Sequence, residues 1–134
     1  MKSKVKIELE IDATPLREEI KTVNILIREN LVKKHVLFLK ANRRAGLKTP
    51  DIKIDFAEKW EIKSPTKNGK YTIEHAVREG LNQSDKLIFN LANLKSNLPE
   101  EKVIRNLQKQ FNLTRKFRKL LIINRERKVL TYGK

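Results

Sequence analysis

The clearest alternation of polar and apolar residues lies in the middle of the chain and predicts a β-hairpin. The stretch DIKID (51–55) alternates with a period of two residues and contains two β-branched isoleucines, a pattern typical of a strand. WEIKS (60–64) alternates again, so a strand there would direct Glu61 and Lys63 to the same face. The four residues between the two segments suit a hairpin connection.

The same patterning predicts helices and strands on both sides of this hairpin. Apolar residues at helical spacing predict a helix capped by Asp12 or Thr14, a helix over about 71–82 and a helix that begins near Pro99. Asn30 is expected to end the first helix in a left-handed conformation. Alternating or continuous apolar runs predict further strands at 4–11, 35–40, 86–91, 120–124 and 128–132.

These elements predict a single α/β (α+β) domain for the 134-residue chain. An inner αβββαβ run over about 14–91 has the layout of a restriction-endonuclease-like core. A C-terminal extension over about 92–134 would add a helix pair and a β-hairpin. In this layout Asp51 lies on the second core strand, and the Glu-x-Lys triplet lies on the third.

The charge balance indicates a polyanionic partner. The chain has 31 Lys and Arg against 16 Asp and Glu, a formal net charge of +15. Nucleic acid is the usual partner of such a surface, and a membrane surface is the alternative. No apolar run approaches the length of a membrane-spanning helix, and residues 1–20 lack the apolar core of a signal peptide. The absence of Cys excludes disulfides and thiolate zinc sites, and two His residues exclude a His-rich zinc site.

Asp51, Glu61 and Lys63 are the residue types that a metal-dependent nuclease needs. Two carboxylates can share a hard divalent cation, with Mg²⁺ favoured and water and phosphate oxygens completing the coordination. Lys63 could polarise the attacking water or neutralise the phosphate. Glu19, at the edge of the first helix's apolar stripe, is a candidate third carboxylate. The alternative is that the hairpin charges face solvent and that Glu19 only stabilises its helix by interacting with the helix dipole.

Several basic residues are candidates for contacts with phosphates. Arg43, Arg44 and Lys48 lie in a basic loop before the hairpin, and Arg115 and Arg118 lie in the basic run TRKFRK (114–119). Solvated surface positions are the alternative interpretation. His75 is a candidate general base, with a surface histidine as the simpler interpretation.

Two sets of motifs resemble known families. Pro50-Asp51 with Glu61-x-Lys63 resembles the PD-(D/E)XK nuclease superfamily. A longer pattern over about 48–132 is similar to the C-terminal tRNA-nuclease toxin domain of contact-dependent growth inhibition proteins and related polymorphic toxins. It consists of KTPDIKID, WEIKSPT, TIEHAVREGLNQSDKLIFNL and RKLLIINRERKVL.

The resemblance implies tRNA cleavage in the cytoplasm of a target cell by the C-terminal module of a secreted effector. It also implies a cognate immunity protein and a divalent metal, Mg²⁺ first, with Mn²⁺ or Zn²⁺ as alternatives. Asp51, Glu61 and Lys63 carry over by residue match, and Glu19 maps onto the family's helix carboxylate. Substrate-binding or site-shaping roles carry over more weakly to Ser64, Thr66, Arg78 and Gln83. The sequence DFAEKWEIK departs from the family because it lacks a Gly before the Glu strand, so a looser hairpin is expected.

Three other functions stay open at the level of sequence. A metal-independent ribonuclease of the barnase-like group would use Lys63 and Arg78 at the phosphate, with His75 as base. A DNA endonuclease could use the same core, because nothing in the sequence reads the ribose 2′-hydroxyl. A basic nucleic-acid-binding module without catalysis would need none of the acidic residues.

Overall fold

The computed structural model describes residues 4–40, 49–67, 69 and 71–134. Arg43, Arg44 and Lys48 lie outside these described residues, as does most of the basic loop. Across the described ranges the elements are β1 (Lys6–Leu9), α1 (Arg17–Arg28), β2 (His35–Phe38), β3 (Ile52–Ile54), β4 (Glu58–Lys63), α2 (Thr72–Leu81), β5 (Lys86–Asn90), a turn of 3-10 helix (Leu91–Asn93), α3 (Glu100–Leu113), β6 (Lys119–Ile123) and β7 (Val129–Gly133).

The strands form a seven-stranded mixed sheet in sequence order, from β1 to β7. β2, β3 and β4 are antiparallel neighbours, while β4, β5 and β6 run parallel to one another. The parallel pairs need crossover connections, which α2 and α3 provide. β1 pairs in parallel with β2 through α1, and β7 pairs with β6 as the closing antiparallel hairpin.

Apolar side chains on the two faces of the sheet form separate cores. One face packs against α1, and its buried residues include Val23, Leu26, Ile52 and Trp60. The other face packs against α2 and α3, and its buried residues include Ile73, Val77, Leu87, Phe89, Leu107 and Phe117. The molecule therefore has three layers, with α1 on one side of the sheet and α2 and α3 on the other.

The predicted αβββαβ core is confirmed in element order, running from α1 through β2, β3, β4 and α2 to β5. Asn30 has the left-handed conformation expected after the first helix, with φ of 62°. The predicted helix pair was wrong in its first member. A single 3-10 turn (Leu91–Asn93) precedes α3, with the Asn90 side chain accepting the Ala92 N–H at 3.0 Å at its start and an extended backbone at Leu94 ending it.

The first helix begins later than its predicted caps. α1 starts at Arg17 with Leu16 as the residue before it, whereas Asp12 lies in a turn with φ of 66°. Glu19 closes the helix start instead, since its Oε1 accepts the Leu16 backbone N–H at 2.7 Å. This bond satisfies one of the donors left free at a helix N-terminus and fixes the Glu19 side chain.

The hairpin connection between β3 and β4 is shorter than expected. Asp55 and Phe56 both have left-handed backbone angles, with φ of 50° and 65°. The Asp55 carboxylate accepts hydrogen bonds from the backbone N–H groups of Lys33, Lys34 and His35. The donor–acceptor distances are 2.7 to 3.3 Å. These bonds tie the turn to the start of β2 and keep it tight without a glycine.

Candidate active site

The candidate site lies beyond the first residue of β3, where β4 continues without its β3 neighbour while still pairing with β5. β4 has six residues and β3 only three, and Ile52 pairs with Trp60, so the last residues of β4 have no β3 partner. Asp51 precedes β3, and its Oδ2 accepts the backbone N–H of Ile62 at 2.8 Å. The carboxylate thus replaces the missing strand partner and is held at the open end of the sheet.

Glu61 is buried beside this carboxylate. Its side chain lies on the α2 face of β4, and the residue is only 5% exposed. The Gln83 side chain lies against it, and the amide orientation that satisfies both groups makes its nitrogen a donor 2.7 Å from Glu61 Oε1 and closer still to Oε2. The Gln83 amide, a neutral donor, therefore offsets part of the free-energy cost of burying the Glu61 carboxylate.

Lys63 brings a positive charge to the same strand end. Its Nζ lies 3.5 Å from Glu61 Oε2 and 3.8 Å from Glu79 Oε2. The lysine side chain is 20% exposed, whereas that of Glu79 is 67% exposed. Lys63 is thus enclosed enough to keep a fixed position and open enough to reach a bound phosphate.

Glu19 approaches the cluster from α1, on the opposite layer from Glu61. Burial raises the pKa of Glu19 to about 7, and a hydrogen bond with Asp51 adds to the rise. Burial also raises the pKa of Asp51 to about 6, although the bond with Glu19 opposes this, and the charge of Glu61 contributes further. Ionising both side chains would place like charges close together, which is consistent with the raised pKa of each.

Burial raises the pKa of Glu61 as well, while Asp51 and the charge of Lys63 hold the rise back. Three carboxyl groups, one on α1, one just before β3 and one on β4, therefore influence one another's pKa, and Lys63 lies beside Glu61. Such crowding disfavours full ionisation unless a cation binds.

A buried hydrogen bond fixes α1 to the sheet next to this cluster. Asn90 Nδ2 donates to Thr22 Oγ1 at 2.9 Å, and the Thr22 hydroxyl donates to the Glu18 carbonyl at 2.8 Å. Thr22 and Asn90 are 0% and 3% exposed. Glu19 lies within one turn of Thr22, so this bond helps to fix the position of Glu19 relative to the sheet.

The segment Gln83-Ser84-Asp85 is anchored at each of its residues. Ser84 Oγ donates to the Lys59 carbonyl on β4 at 2.6 Å, and the Asp85 carbonyl accepts the Arg118 N–H at 2.8 Å. Gly80 lets α2 approach closely, since a Cβ there would lie 2.8 Å from the Leu87 side chain. Gln83 is therefore held against Glu61 by bonds on both sides.

The donor set fits a divalent ion held by two carboxylates. Within the described ranges no group of three or more His, Asp or Glu side chains is arranged to hold a metal ion, so at most a pair of carboxylates is available. Asp51 and Glu61 match the one or two carboxylates with which Mg²⁺ is usually bound, together with waters and substrate phosphates. The Ser64 hydroxyl next to Lys63 is buried without a hydrogen-bond partner among the described residues, so it could bond a water or a substrate oxygen.

Among the described residues, the hydrogen bonds and ion pairs of the carboxylates include none of the remaining predicted residues. Thr66 is exposed, and its carbonyl accepts the Lys95 N–H at 3.2 Å. Arg78 lies on the side of α2 that faces α3. His75 is exposed on α2, one turn before Glu79. Arg115 and Arg118 are exposed, whereas Phe117 between them is fully buried in the core and packs edge-on against Phe111.

Sequence reasoning missed Glu79, which contacts Lys63 from α2. Glu79 is adjacent to Gly80, where α2 packs tightly against the Leu87 side chain of β5. A glycine in the buried stripe of a predicted helix signals such an approach, and its neighbour could have been inferred to face β4.

The fold and site together define an α+β domain with a charged cluster at the open end of its central hairpin. No curated protein sequence matches the chain. Residues 48–129 match the family model described as the contact-dependent growth inhibition CdiA C-terminal domain. The match covers more than half of the 134-residue chain, so the chain belongs to this family of growth-inhibition toxin domains. The resemblance to that family is confirmed, and the PD-(D/E)XK type stays a prediction.

The chain also resembles a chain of a solved structure, the CdiA-CT/CdiI toxin and immunity complex from Burkholderia pseudomallei. The two share 20% sequence identity with a TM-score of 0.48, over 95% of this chain and 99% of the other. Within the described ranges no helix is long and apolar enough to cross a membrane.

Proposed function

We propose that this domain is a metal-dependent endoribonuclease that cleaves tRNA in the cytoplasm of a target cell. The observation that carries the proposal is the meeting of Glu19, Asp51 and Glu61 at the open end of β3, with Lys63 Nζ 3.5 Å from Glu61. Crowded carboxylates beside one lysine suit a site that binds a divalent ion and a phosphate. The family membership supports a toxic role, and the net charge of +15 supports a nucleic-acid substrate.

Asp51 and Glu61 would hold the metal ion, Mg²⁺ first and Mn²⁺ or Zn²⁺ as alternatives. Bound there, the ion would neutralise charge on the phosphate and activate a water. Asp51 is kept in place by the Ile62 N–H and Glu61 by Gln83. Both carboxylates are therefore fixed before any ligand binds, which favours a site that needs little rearrangement.

Lys63 and Glu19 would act on the substrate itself, Lys63 on the phosphate and Glu19 on the attacking water. Lys63 can donate to a non-bridging phosphate oxygen and stabilise its negative charge. Glu19, with its pKa raised to about 7, can hold or release a proton near neutral pH and so orient the attacking water. Ser64 offers a further hydroxyl for the same phosphate.

A cognate immunity protein belongs to this proposal. An enzyme that cleaves tRNA would also harm the cell that makes it, so the producer needs an inhibitor that binds the domain. The wild-type gene should therefore be tolerated in cells only with that inhibitor, while Asp51→Asn and Lys63→Gln variants should be tolerated without it.

The direct test is to incubate the purified protein with total tRNA and with plasmid DNA, each in Mg²⁺ and in EDTA. We expect discrete tRNA cleavage that EDTA abolishes, and loss of cleavage in Asp51→Asn. Lys34→Gln, which removes an exposed cation at the start of β2, should cleave as the wild type does.

Each other outcome has a separate meaning. Cleavage that survives EDTA would replace this proposal with a metal-independent ribonuclease. Metal-dependent cleavage of plasmid DNA alone would indicate a DNA endonuclease. No cleavage of either substrate would leave a basic binding module.

A further inference from the structure

A basic groove separates α2 from α3 on the same side of the sheet as Glu61. It forms an open cavity of about 450 Å³ whose lining combines polar and charged side chains with Val77, Leu81 and Leu113. Arg78 contributes a cation from the α2 wall, and Lys109 and Lys116 contribute cations from the α3 wall and the segment after it. Glu74 is the acidic residue among those that line the groove.

The groove cations are not neutralised within the described parts of the chain. None of Arg78, Lys109 and Lys116 takes part in an ion pair within 4.0 Å, although eight such pairs form elsewhere in these ranges. Three exposed cations against one carboxylate leave a net positive potential in a concave surface. Low-dielectric walls concentrate such a field and attract a polyanion.

The groove is joined to the carboxylate cluster around the C-terminal end of α2. Gln83 contacts Glu61 on one side of this end, and the Asp85 carbonyl accepts the Arg118 N–H on the other. Lys116 lies two residues before Arg118. Arg78 on the α2 wall is also the sequence neighbour of Glu79, whose Oε2 lies 3.8 Å from Lys63 Nζ, so adjacent residues of α2 contact the cluster and line the groove.

We propose that this α2–α3 groove binds the sugar-phosphate backbone of the RNA substrate next to the cleaved bond. The strand would leave the carboxylate cluster, pass the Gln83–Asp85 segment and enter the groove, where cations on both walls contact successive phosphates. The inference rests on the proposed ribonuclease function for its substrate. It assigns Arg78 to the path of the RNA and not to the scissile phosphate.

RNA fits the groove better than an acidic protein surface does. The cations lie on both walls of a concave surface, which suits a chain with regularly spaced charges. Such contacts are sequence-independent, as a nuclease needs away from its cleavage point.

The test is the binding of fluorescently labelled tRNA to variants made in the Asp51→Asn background, which is expected not to cut. The groove variant combines Arg78→Gln, Lys109→Gln and Lys116→Gln. The matched control combines Lys21→Gln, Lys33→Gln and Lys34→Gln, which remove the same charge from exposed positions on α1 and before β2. Anisotropy titrations between about 50 and 200 mM salt give the affinity and its salt dependence.

We expect the groove variant to lose about 50-fold in affinity at roughly 0.15 M salt, with a salt slope lower by about 2, as for three lost single-strand phosphate contacts. The control should remain within about threefold of the parent, because scattered charges act only through the screened field. Equal losses in both variants, or no loss in the groove variant, would overturn the proposal. No loss in the groove variant would instead indicate that the groove binds an acidic protein partner.

Cleavage assays separate this proposal from the ribonuclease function itself. With Asp51 intact, the groove variant should raise KM at least tenfold while kcat stays within about threefold, since the groove does not touch the reacting phosphate. If the enzyme is active and the groove variant has an unaltered KM, the RNA-binding role of the groove is refuted and the proposed ribonuclease function is unaffected. An inactive wild type whose tRNA affinity still depends on the groove would refute the function and keep the RNA groove.

Discussion

β4 and β6 are both interior strands with a parallel neighbour, yet they have opposite characters. β6 reads KLLII, and four consecutive residues are buried, which is the ordinary composition of a strand covered on both faces. β4 reads EKWEIK and buries Glu61 to 5% exposure beside Asp51. One strand stabilises the core, and the other places charges where burial opposes their ionisation.

The difference shows on which strand charged side chains oppose stability and on which strand apolar side chains supply it. Apolar burial on β6 contributes roughly 25 cal/mol for each Å² removed from water. The carboxylates at the end of β4 have raised pKa values, so their ionised forms make the metal-free protein less stable. Mutations in the two strands should therefore separate activity from folding.

The largest effect is expected at the charged strand. Lys63→Gln should lower the rate of tRNA cleavage by about 10³-fold or more, because it removes a charge that stabilises the reacting phosphate. Circular dichroism and thermal unfolding should remain close to those of the wild type. A Lys63→Gln enzyme with near-normal turnover would exclude Lys63 from the chemistry.

The apolar strand should show the opposite pattern. Ile122→Ala removes a fully buried side chain from the α3 face of β6 and should lower the free energy of unfolding by about 2–5 kcal/mol. Turnover for each folded molecule should be unchanged at low temperature. Urea denaturation followed by cleavage assays would measure both quantities. A stable variant with impaired chemistry would contradict the division between the strands.

Asp51→Asn should stabilise the metal-free protein in a pH-dependent manner. The folded pKa of Asp51 is raised to about 6 from 3.8, so the folded state binds more protons than the unfolded state between these values. Wild-type stability therefore falls as pH rises through this window, and Asn has no such loss. The variant should be more stable than the wild type by roughly 1–3 kcal/mol at pH 8, with a smaller gap at pH 5.

Chemical denaturation in EDTA at both pH values would measure this gap. Asp55→Asn provides a control with the opposite sign, because backbone hydrogen bonds hold the pKa of Asp55 below its usual value. A gap of the same size at pH 5 and pH 8 would show that Asp51 does not titrate in this range.

The smallest effect is expected at the bond that anchors α1. Thr22→Val leaves the buried Asn90 amide without its acceptor and should cost about 1–3 kcal/mol of stability. Thr22→Ser keeps the hydroxyl and should cost less. If Glu19 depends on this anchor, the pH profile of cleavage should shift in Thr22→Val but not in Thr22→Ser.

The order of the core elements could be predicted because it follows from local patterns. The alternation around Asp51 and Glu61 defined the hairpin, and the hairpin brought the two carboxylates together. The contact of Gln83 with Glu61 depends on the packing of the residues after α2, which the helical spacing does not specify even though Gly80 signals a close approach. The basic run around Phe117 was predicted as a nucleic-acid patch, but Phe117 itself is a core residue, because β6 begins two residues later.

The central claim is that Asp51 and Glu61 bind a divalent cation at the open end of β3. Calorimetric titration of the metal-free protein with Mg²⁺ at pH 7, in buffers of different ionisation enthalpy, tests it without any assay of turnover. We expect saturable binding of one ion with release of protons, because carboxyl groups with raised pKa values must ionise to bind it. Asp51→Asn should abolish this binding. Absence of binding by the wild type, or equal binding by Asp51→Asn, would contradict the claim.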